Sequence, residues 1–263
     1  MPQALREEKS TRLVLLPSYN SGSLLARTAA GVLDEWPHVW VVLDGSTDGS
    51  VEEVYDLASK NARLRIVHLQ ANGGKGAAVL HTMMLAQQEG FRHALVMDAD
   101  GQHPASHVPE FMEISSKFPG AMILGVPVFG ADAPPERVHG RTIGNFFAEL
   151  ETLWGGVRDS LFGFRLYPIK ESLQVMSKTS HGRRFDFDTE LAVRLFWAGV
   201  QPINRPVPVF YPPRKEGGVS HFAYLRDNVL LAKTHTRLGL LLLPQLLRVW
   251  KLRQKWKTLN GLS

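Results

Sequence analysis

Three short apolar runs, Leu13-Val-Leu-Leu-Pro17, Val39-Trp-Val-Val-Leu43 and Leu64-Arg-Ile-Val-His-Leu69, each give way to a polar turn rich in Gly, Ser, Asn or Asp and then to a helical stretch. This alternation restricts the fold most, because strand, turn, helix, strand is the grammar of a parallel sheet with crossover helices. Apolar residues at consecutive positions suit strands covered on both faces. A fourth run, Ala94-Leu-Val-Met97, stops at Asp98-Ala-Asp100-Gly-Gln102-His103-Pro104. Open α/β sheets place ligands beyond the carboxyl ends of their strands. Asp98 and Asp100 lie two residues apart there, and Gly101 lets the backbone turn beneath them. Two hard oxygen ligands, with Gln102 as a third, suit Mg²⁺ or Mn²⁺. An ordinary strand end followed by an Asp-Gly turn reads the same way in isolation.

At 263 residues and 44% hydrophobic content, the chain is long enough for one large α/β domain or two small ones. The absence of Cys excludes disulfides, thiolate catalysis and Cys-ligated zinc. Met1 to Arg12 is polar and mixed in charge, without the apolar centre of a signal peptide, so cytoplasmic exposure is expected. The formal charge of +5 is a modest basic excess that suits phosphate ligands or an anionic membrane surface. No arginine-rich or RNA-binding motif occurs, and nucleic acid is not an expected partner.

Asn72-Gly73-Gly74-Lys75-Gly76 opens the helix after the third run. A glycine-rich turn at a helix N-terminus suits an anion, since unpaired N–H groups and the helix dipole face it; a plain helix-starting turn is the other reading. The turn is neither a Walker loop nor the Gly-x-Gly-x-x-Gly of a dinucleotide fold. Asp44 suits hydrogen bonds from a base or ribose, and Asp48 suits the N-cap of a helix over 49–60.

Pro17-Ser-Tyr-Asn20, Asp44-Gly-Ser-Thr-Asp48, Asn72-Gly-Gly-Lys-Gly76 and Asp98-Ala-Asp-Gly-Gln-His103, in this order, resemble the family-2 glycosyltransferases of GT-A fold. Within that family the likeness is to the polyprenyl-phosphate sugar transferases typified by dolichyl-phosphate mannose synthase. The resemblance implies an α/β, Rossmann-like, mostly parallel central sheet flanked by helices. It implies that Pro17, Tyr19, Asn20, Asp44, Gly74, Lys75, Asp98 and Ala99 line the nucleotide site. Asp98, Asp100 and Gln102 would hold a divalent metal, Mg²⁺ or Mn²⁺, against the donor diphosphate, with Asp100 counted as catalytic. Leu43 stands where the family commonly has another Asp, which leaves the base open.

The likeness continues past Ala121-Met-Ile-Leu-Gly125, which reads as a strand followed by a loop over 127–138 and a helix over 138–153. Asp159 through Gly163-Phe-Arg165 resembles the family's acidic residue followed by Gly-Phe-Arg. Arg141 and Arg165 are candidates for phosphate on donor or acceptor, since guanidinium binds phosphate bidentately. A solvated helix arginine is the other reading of Arg141. Asp188 matches the position of the family's catalytic base for a hydroxyl acceptor, and its alternative is an acidic residue in a helix first turn. Pro213 to His221 looks like the family's Arg-x-x-Gly-x-Ser loop, with Arg214, Ser220 and His221 as phosphate or acceptor contacts.

The chain then divides into a catalytic domain over 1–221 and a helical, basic and apolar tail over 222–263. The apolar run Leu238 to Trp250 falls short of the ~20 residues that cross a bilayer. Followed by Lys251, Arg253, Lys255 and Lys257, it suits a helix lying in the interface of an anionic leaflet, or one packed on the domain or a partner subunit. The function expected is inverting, metal-dependent transfer of a sugar from a UDP- or GDP-sugar to a lipid-linked acceptor, a polyprenyl phosphate or a lipid hydroxyl, at the inner face of a membrane. Two other classes remain: a sugar nucleotidyltransferase, whose Gly-rich signature after the first strand is missing, and a non-catalytic membrane-surface scaffold.

Overall fold

The computed structural model describes residues 11–130, 135–210 and 224–259, with side chains omitted at 135–140, 224, 225, 258 and 259. Its strands are β1 (Arg12–Ser18), β2 (Val39–Asp44), β3 (Leu64–Leu69), β4 (His93–Met97), β5 (Ala121–Phe129), β6 (Phe164–Pro168) and β7 (Gln201–Val209). They form one sheet in the order β3-β2-β1-β4-β6-β5-β7. Every neighbouring pair is parallel except the two made by β6, which runs against β4 and β5.

Successive residues of a strand face opposite sides, so a consecutive apolar run feeds two cores. Leu13 and Leu15 of β1 enter one core while Val14 and Leu16 enter the other. The first core is roofed by α3 (Lys75–Gln88), α6 (Ile169–Met176) and α7 (Phe187–Ala198). The second is roofed by α1 (Leu24–Glu35), α2 (Ser50–Lys60) and α4 (Val108–Lys117). Each fully buried leucine or valine contributes roughly 1.5–3 kcal/mol. Two further helices, α8 (Tyr224–Leu242) and α9 (Leu246–Leu259), join the first core through Leu238, Leu242, Val249 and Trp256. Among the described residues no helix is long and apolar enough to cross a membrane.

The structure corrects several local expectations. β5 continues past Gly125 to Phe129, because β7 pairs with it residue by residue from Ala121↔Gln201 to Phe129↔Val209. Pro127 is tolerated there because β6 pairs only with Ile123 and Leu124, leaving that side of β5 without a partner strand. The following helix, α5 (Pro135–Glu151), starts earlier and ends earlier than expected. Pro202, Pro206 and Pro208 fall at even positions of β7, an edge strand, so their ring nitrogens lie on one side and leave the β5 ladder intact. Gly49, not Asp48, immediately precedes α2, but the Asp48 carboxylate still accepts from the Ser50 N–H and hydroxyl at the helix start, and also from the Gly22 N–H at 2.9 Å.

Candidate active site

The turns beyond β1, β2 and β3 interlock at the carboxyl end of the sheet. Asn20 adopts a left-handed backbone with φ 49°, and its side-chain oxygen accepts the Thr47 N–H at 2.8 Å. Asn20's own N–H donates to Ser46 Oγ at 3.1 Å. Asp44, only 3% exposed, accepts the N–H of Gly73 at 2.9 Å and of Gly74 at 2.8 Å. Its carboxylate therefore braces the Gly-Gly turn, which is a different task from the base or ribose contact expected of it. Gly45, at φ +69°, must be glycine, since a Cβ would come within 2.5 Å of the Asn72 nitrogen. Pro17 pairs within β1 opposite Val42, and Tyr19 stands exposed beyond it.

The glycine-rich turn is not the open cradle of N–H groups that its sequence suggests. Asp44 takes the N–H groups of Gly73 and Gly74, and the Arg183 carbonyl takes that of Ala77 at 3.0 Å. The charged group that the turn offers an anion is the side chain of Lys75. A Cβ on Gly76 would come within 2.4 Å of the Gly182 carbonyl, so α3 docks directly on the loop that opens α7. That close approach delivers Lys75 Nζ to 2.6 Å from Asp188 Oδ2 and 2.7 Å from Asp98 Oδ1. Burial alone would lower the Lys75 pKa, but the two carboxylates outweigh it and hold the ammonium above its ordinary value.

Asp98 and Asp100 follow β4 and are half-buried, with Ala99 buried between them. Burial would raise Asp98, yet Lys75 and His103 hold it well below the usual carboxylate range. Asp100 is raised by burial first and then by the charge of Asp98, against the opposing pull of His103 and the Gln102 N–H. That N–H donates to Asp100 Oδ1 at 3.1 Å, and the Gln102 carbonyl accepts from the Phe210 N–H at 3.0 Å.

Two site residues escaped the sequence reading. His103 is 8% exposed, with its ring edge-on to Phe162 at 4.6 Å and Nε2 3.7 Å from Asp98 Oδ2. Gly163 touches Asp98 so closely that a Cβ would lie 1.9 Å from Oδ2, and its carbonyl accepts the Asp98 N–H at 3.1 Å. Both lie inside the sequence motifs; the antiparallel pairing of β6 with β4 brings Gly163 beside Asp98, and the turn after Asp100 brings His103 back to the same carboxylate.

Arg165 is a correction. Expected at phosphate, it is 0% exposed and donates to the carbonyls of Phe162 at 2.7 Å, Asp159 at 2.7 Å and Asp188 at 2.8 Å. No phosphate reaches a guanidinium so enclosed; it fastens the Asp159 turn to the start of α7. Arg141 pairs with Asp159 at 2.9 Å, beside the rings of Phe129 and Phe162. Burial would raise the Asp159 carboxyl, but Arg141, Arg165 and the Asn145 amide hold it low. Asp188 is buried, and among the described residues its Oδ1 has no hydrogen-bond partner. Its acidic neighbours are tied to α8: Asp186 accepts from Thr234 at 3.2 Å, and Glu190 pairs with Arg237. Arg214, Ser220 and His221 lie outside the described residues.

Among the described residues no group of three or more His, Asp or Glu side chains surrounds a common point. Asp98 and Asp100 nonetheless fit in chemistry: both are oxygen donors, and a cation beside them would relieve the charge that raises Asp100. A protein supplying two carboxylates leaves the remaining positions to substrate phosphate and water, as Mg²⁺ sites commonly do.

A mostly parallel sheet of this order, with an acidic pair beyond β4, is the GT-A architecture. It aligns with the mannosyltransferase PcManGT from Pyrobaculum calidifontis, solved with GDP-Man and Mn²⁺, at a TM-score of 0.59 and 19% identity over 88% of this chain and 64% of that one. The chain belongs to the family Glycosyl transferase family 2, whose profile matches residues 13–173. Among curated relatives, it is 31% identical over 169 residues to dolichyl-phosphate beta-glucosyltransferase ALG5C of Trichomonas vaginalis, covering 58% of this chain and 47% of that protein. It is 36% identical over 107 residues to dolichol-phosphate mannosyltransferase of Saccharomyces cerevisiae, covering 38% of this chain and 39% of the relative. The chain thus matches about half or less of the length of these relatives.

Proposed function

We propose that this protein transfers a sugar, with inversion, from a nucleotide-sugar donor to a lipid-linked acceptor in a metal-dependent reaction. The observation that carries the reading is the meeting of Asp98, Asp100, Lys75 and Asp188 beside the interlocked turns of β1 to β3. Asp98 and Asp100 would hold Mg²⁺ or Mn²⁺, which when bound neutralises charge on the departing diphosphate. The acceptor oxygen attacks the anomeric carbon, and the bond from that carbon to the diphosphate oxygen breaks, its electron pair leaving with the nucleoside diphosphate. A phosphate acceptor is already anionic and needs no base. A hydroxyl acceptor gives its proton to Asp188, whose Oδ1 has no competing partner among the described residues. Pro17, Tyr19, Asn20 and the turn that Asp44 braces line the nucleotide side, with a UDP- or GDP-sugar as donor.

A lipid acceptor is supported by the names of the relatives and by the surface. Ile143, Phe146, Phe147 and Leu150 form an exposed stripe at helical spacing on α5, and Leu240, Leu243, Leu247 and Trp250 are exposed around the α8–α9 junction. From 238 to 263 the sequence has Arg248, Lys251, Arg253, Lys255 and Lys257 and no Asp or Glu. Apolar side chains beside unopposed positive charge suit the interface of an anionic leaflet, which supports a peripheral position on the cytoplasmic face.

The test is a thermal-shift panel of UDP-, GDP- and dTDP-sugars with and without Mn²⁺ or Mg²⁺, on wild type and Asp100→Ala. One nucleotide class should raise the melting temperature of the wild type only with metal, by the equivalent of about 2.7 kcal/mol at a hundredfold excess over Kd. Asp100→Ala should lose that response and about 100-fold or more in turnover. No response of the folded wild type to any nucleotide rejects the proposal.

A further inference from the structure

The Lys75 ammonium sits on Asp98 Oδ1, on the carboxylate that would hold a divalent ion. We infer that Lys75 is an internal counter-ion that competes with the metal for Asp98 in the donor-free protein and passes to the donor diphosphate when the metal binds. The inference rests on the donor-and-metal reading above and specifies how its two ligands are coupled.

Four observations support it. Lys75 Nζ makes close contacts to both Asp98 Oδ1, at 2.7 Å, and Asp188 Oδ2, at 2.6 Å, with its side chain only 11% exposed. A dication arriving at Asp98 and Asp100 therefore meets a fixed positive charge on the same carboxylate, and in a partly dry cleft that repulsion is strong. The N–H groups of Gly73, Gly74 and Ala77 are already committed, and the ammonium is the charged group this turn can offer phosphate oxygen. A lysine stem has the rotatable bonds for such a move, and α3, docked through Gly76, holds its root in place. Finally, Asp188 keeps Oδ1 unpartnered while Lys75 occupies Oδ2, so departure of the lysine would leave the whole carboxylate available to a proton.

Metal and nucleotide must then bind interdependently, each raising the other's affinity by the same factor, as linkage requires. Without the lysine the competitor is gone. The experiment titrates the full chain with Mn²⁺, reading free ion by electron paramagnetic resonance, with no nucleotide, with UDP and with GDP. In wild type one nucleotide should tighten Mn²⁺ binding by about tenfold or more. Lys75→Met should bind Mn²⁺ about tenfold more tightly than wild type without nucleotide, and nucleotide should then add less than about threefold. Asp188→Asn gives an independent reading should the Met variant fold poorly. It leaves the lysine's charge on Asp98 alone, so Mn²⁺ should bind more weakly than to wild type. Equal or weaker Mn²⁺ binding by folded Lys75→Met, or an undiminished nucleotide effect in it, overturns the role of Lys75 while leaving metal dependence standing. Failure of wild type to bind Mn²⁺ even with nucleotide rejects the metal reading and this inference together.

Discussion

Single atoms decide the geometry around Asp98. Its carboxylate is confined by Lys75 on one side, His103 on another and the bare Cα of Gly163 beneath. Gly163→Ala should cost about 1–3 kcal/mol in stability from overpacking and, because Asp98 must swing away, about 100-fold or more in sugar transfer. Circular dichroism and turnover measured on the same preparation check both, and a fully active Gly163→Ala protein would show that Asp98 is not held where it is needed. Sequence made the chemistry of Asp98, Asp100 and Lys75 visible because charged residues at strand ends and Gly-rich turns are locally encoded. It misplaced Arg165 and did not reveal the brace Asp44 makes, since whether a polar side chain meets backbone depends on which turns pack together. Nothing near Arg165 in the chain signals that carbonyls 23 positions on and 6 positions back will enclose it.

At the scale of elements, the Asp159 turn and α5 are held together by charge. Arg141 and Asn145 reach from the helix to one carboxylate, and the Leu161 and Phe162 N–H groups cap the same carboxylate from below. Because the folded pKa of Asp159 lies below the unfolded value of about 3.9, the stabilisation it supplies is complete above about pH 4 and disappears as pH falls through the lowered value. Asp159→Asn should therefore be less stable than wild type at neutral pH but lose less on acidification, and melting temperatures from pH 7 down to pH 3 would show converging curves. Curves that stay parallel would mean that the pair contributes nothing. The elements themselves were largely legible: the first strands and their helices follow the apolar runs closely. The extension of β5 and the helices α4 and α6 were not, because β5 owes its last residues to a partner some 80 positions away and the two helices are short.

At the scale of the molecule, α8 links the membrane-facing proposal to the site. Its exposed end carries Leu240, while its buried side holds Asp186 through Thr234, Glu190 through Arg237, and Glu151 through His235 at 2.9 Å. Replacing Leu243 and Leu247 together by Gln should weaken co-sedimentation with anionic vesicles by about tenfold or more, given roughly 1.5 kcal/mol or more per leucine withdrawn from an apolar phase. Transfer to a short, water-soluble acceptor should be unchanged, whereas equal sedimentation of variant and wild type would place the contact elsewhere. The prolines of β7 carry one more consequence. A strand edge that offers carbonyls but few N–H groups cannot template a further strand. Should copies of this chain ever join sheet to sheet, the described strands favour pairing along β3, the opposite outer edge, over pairing along β7.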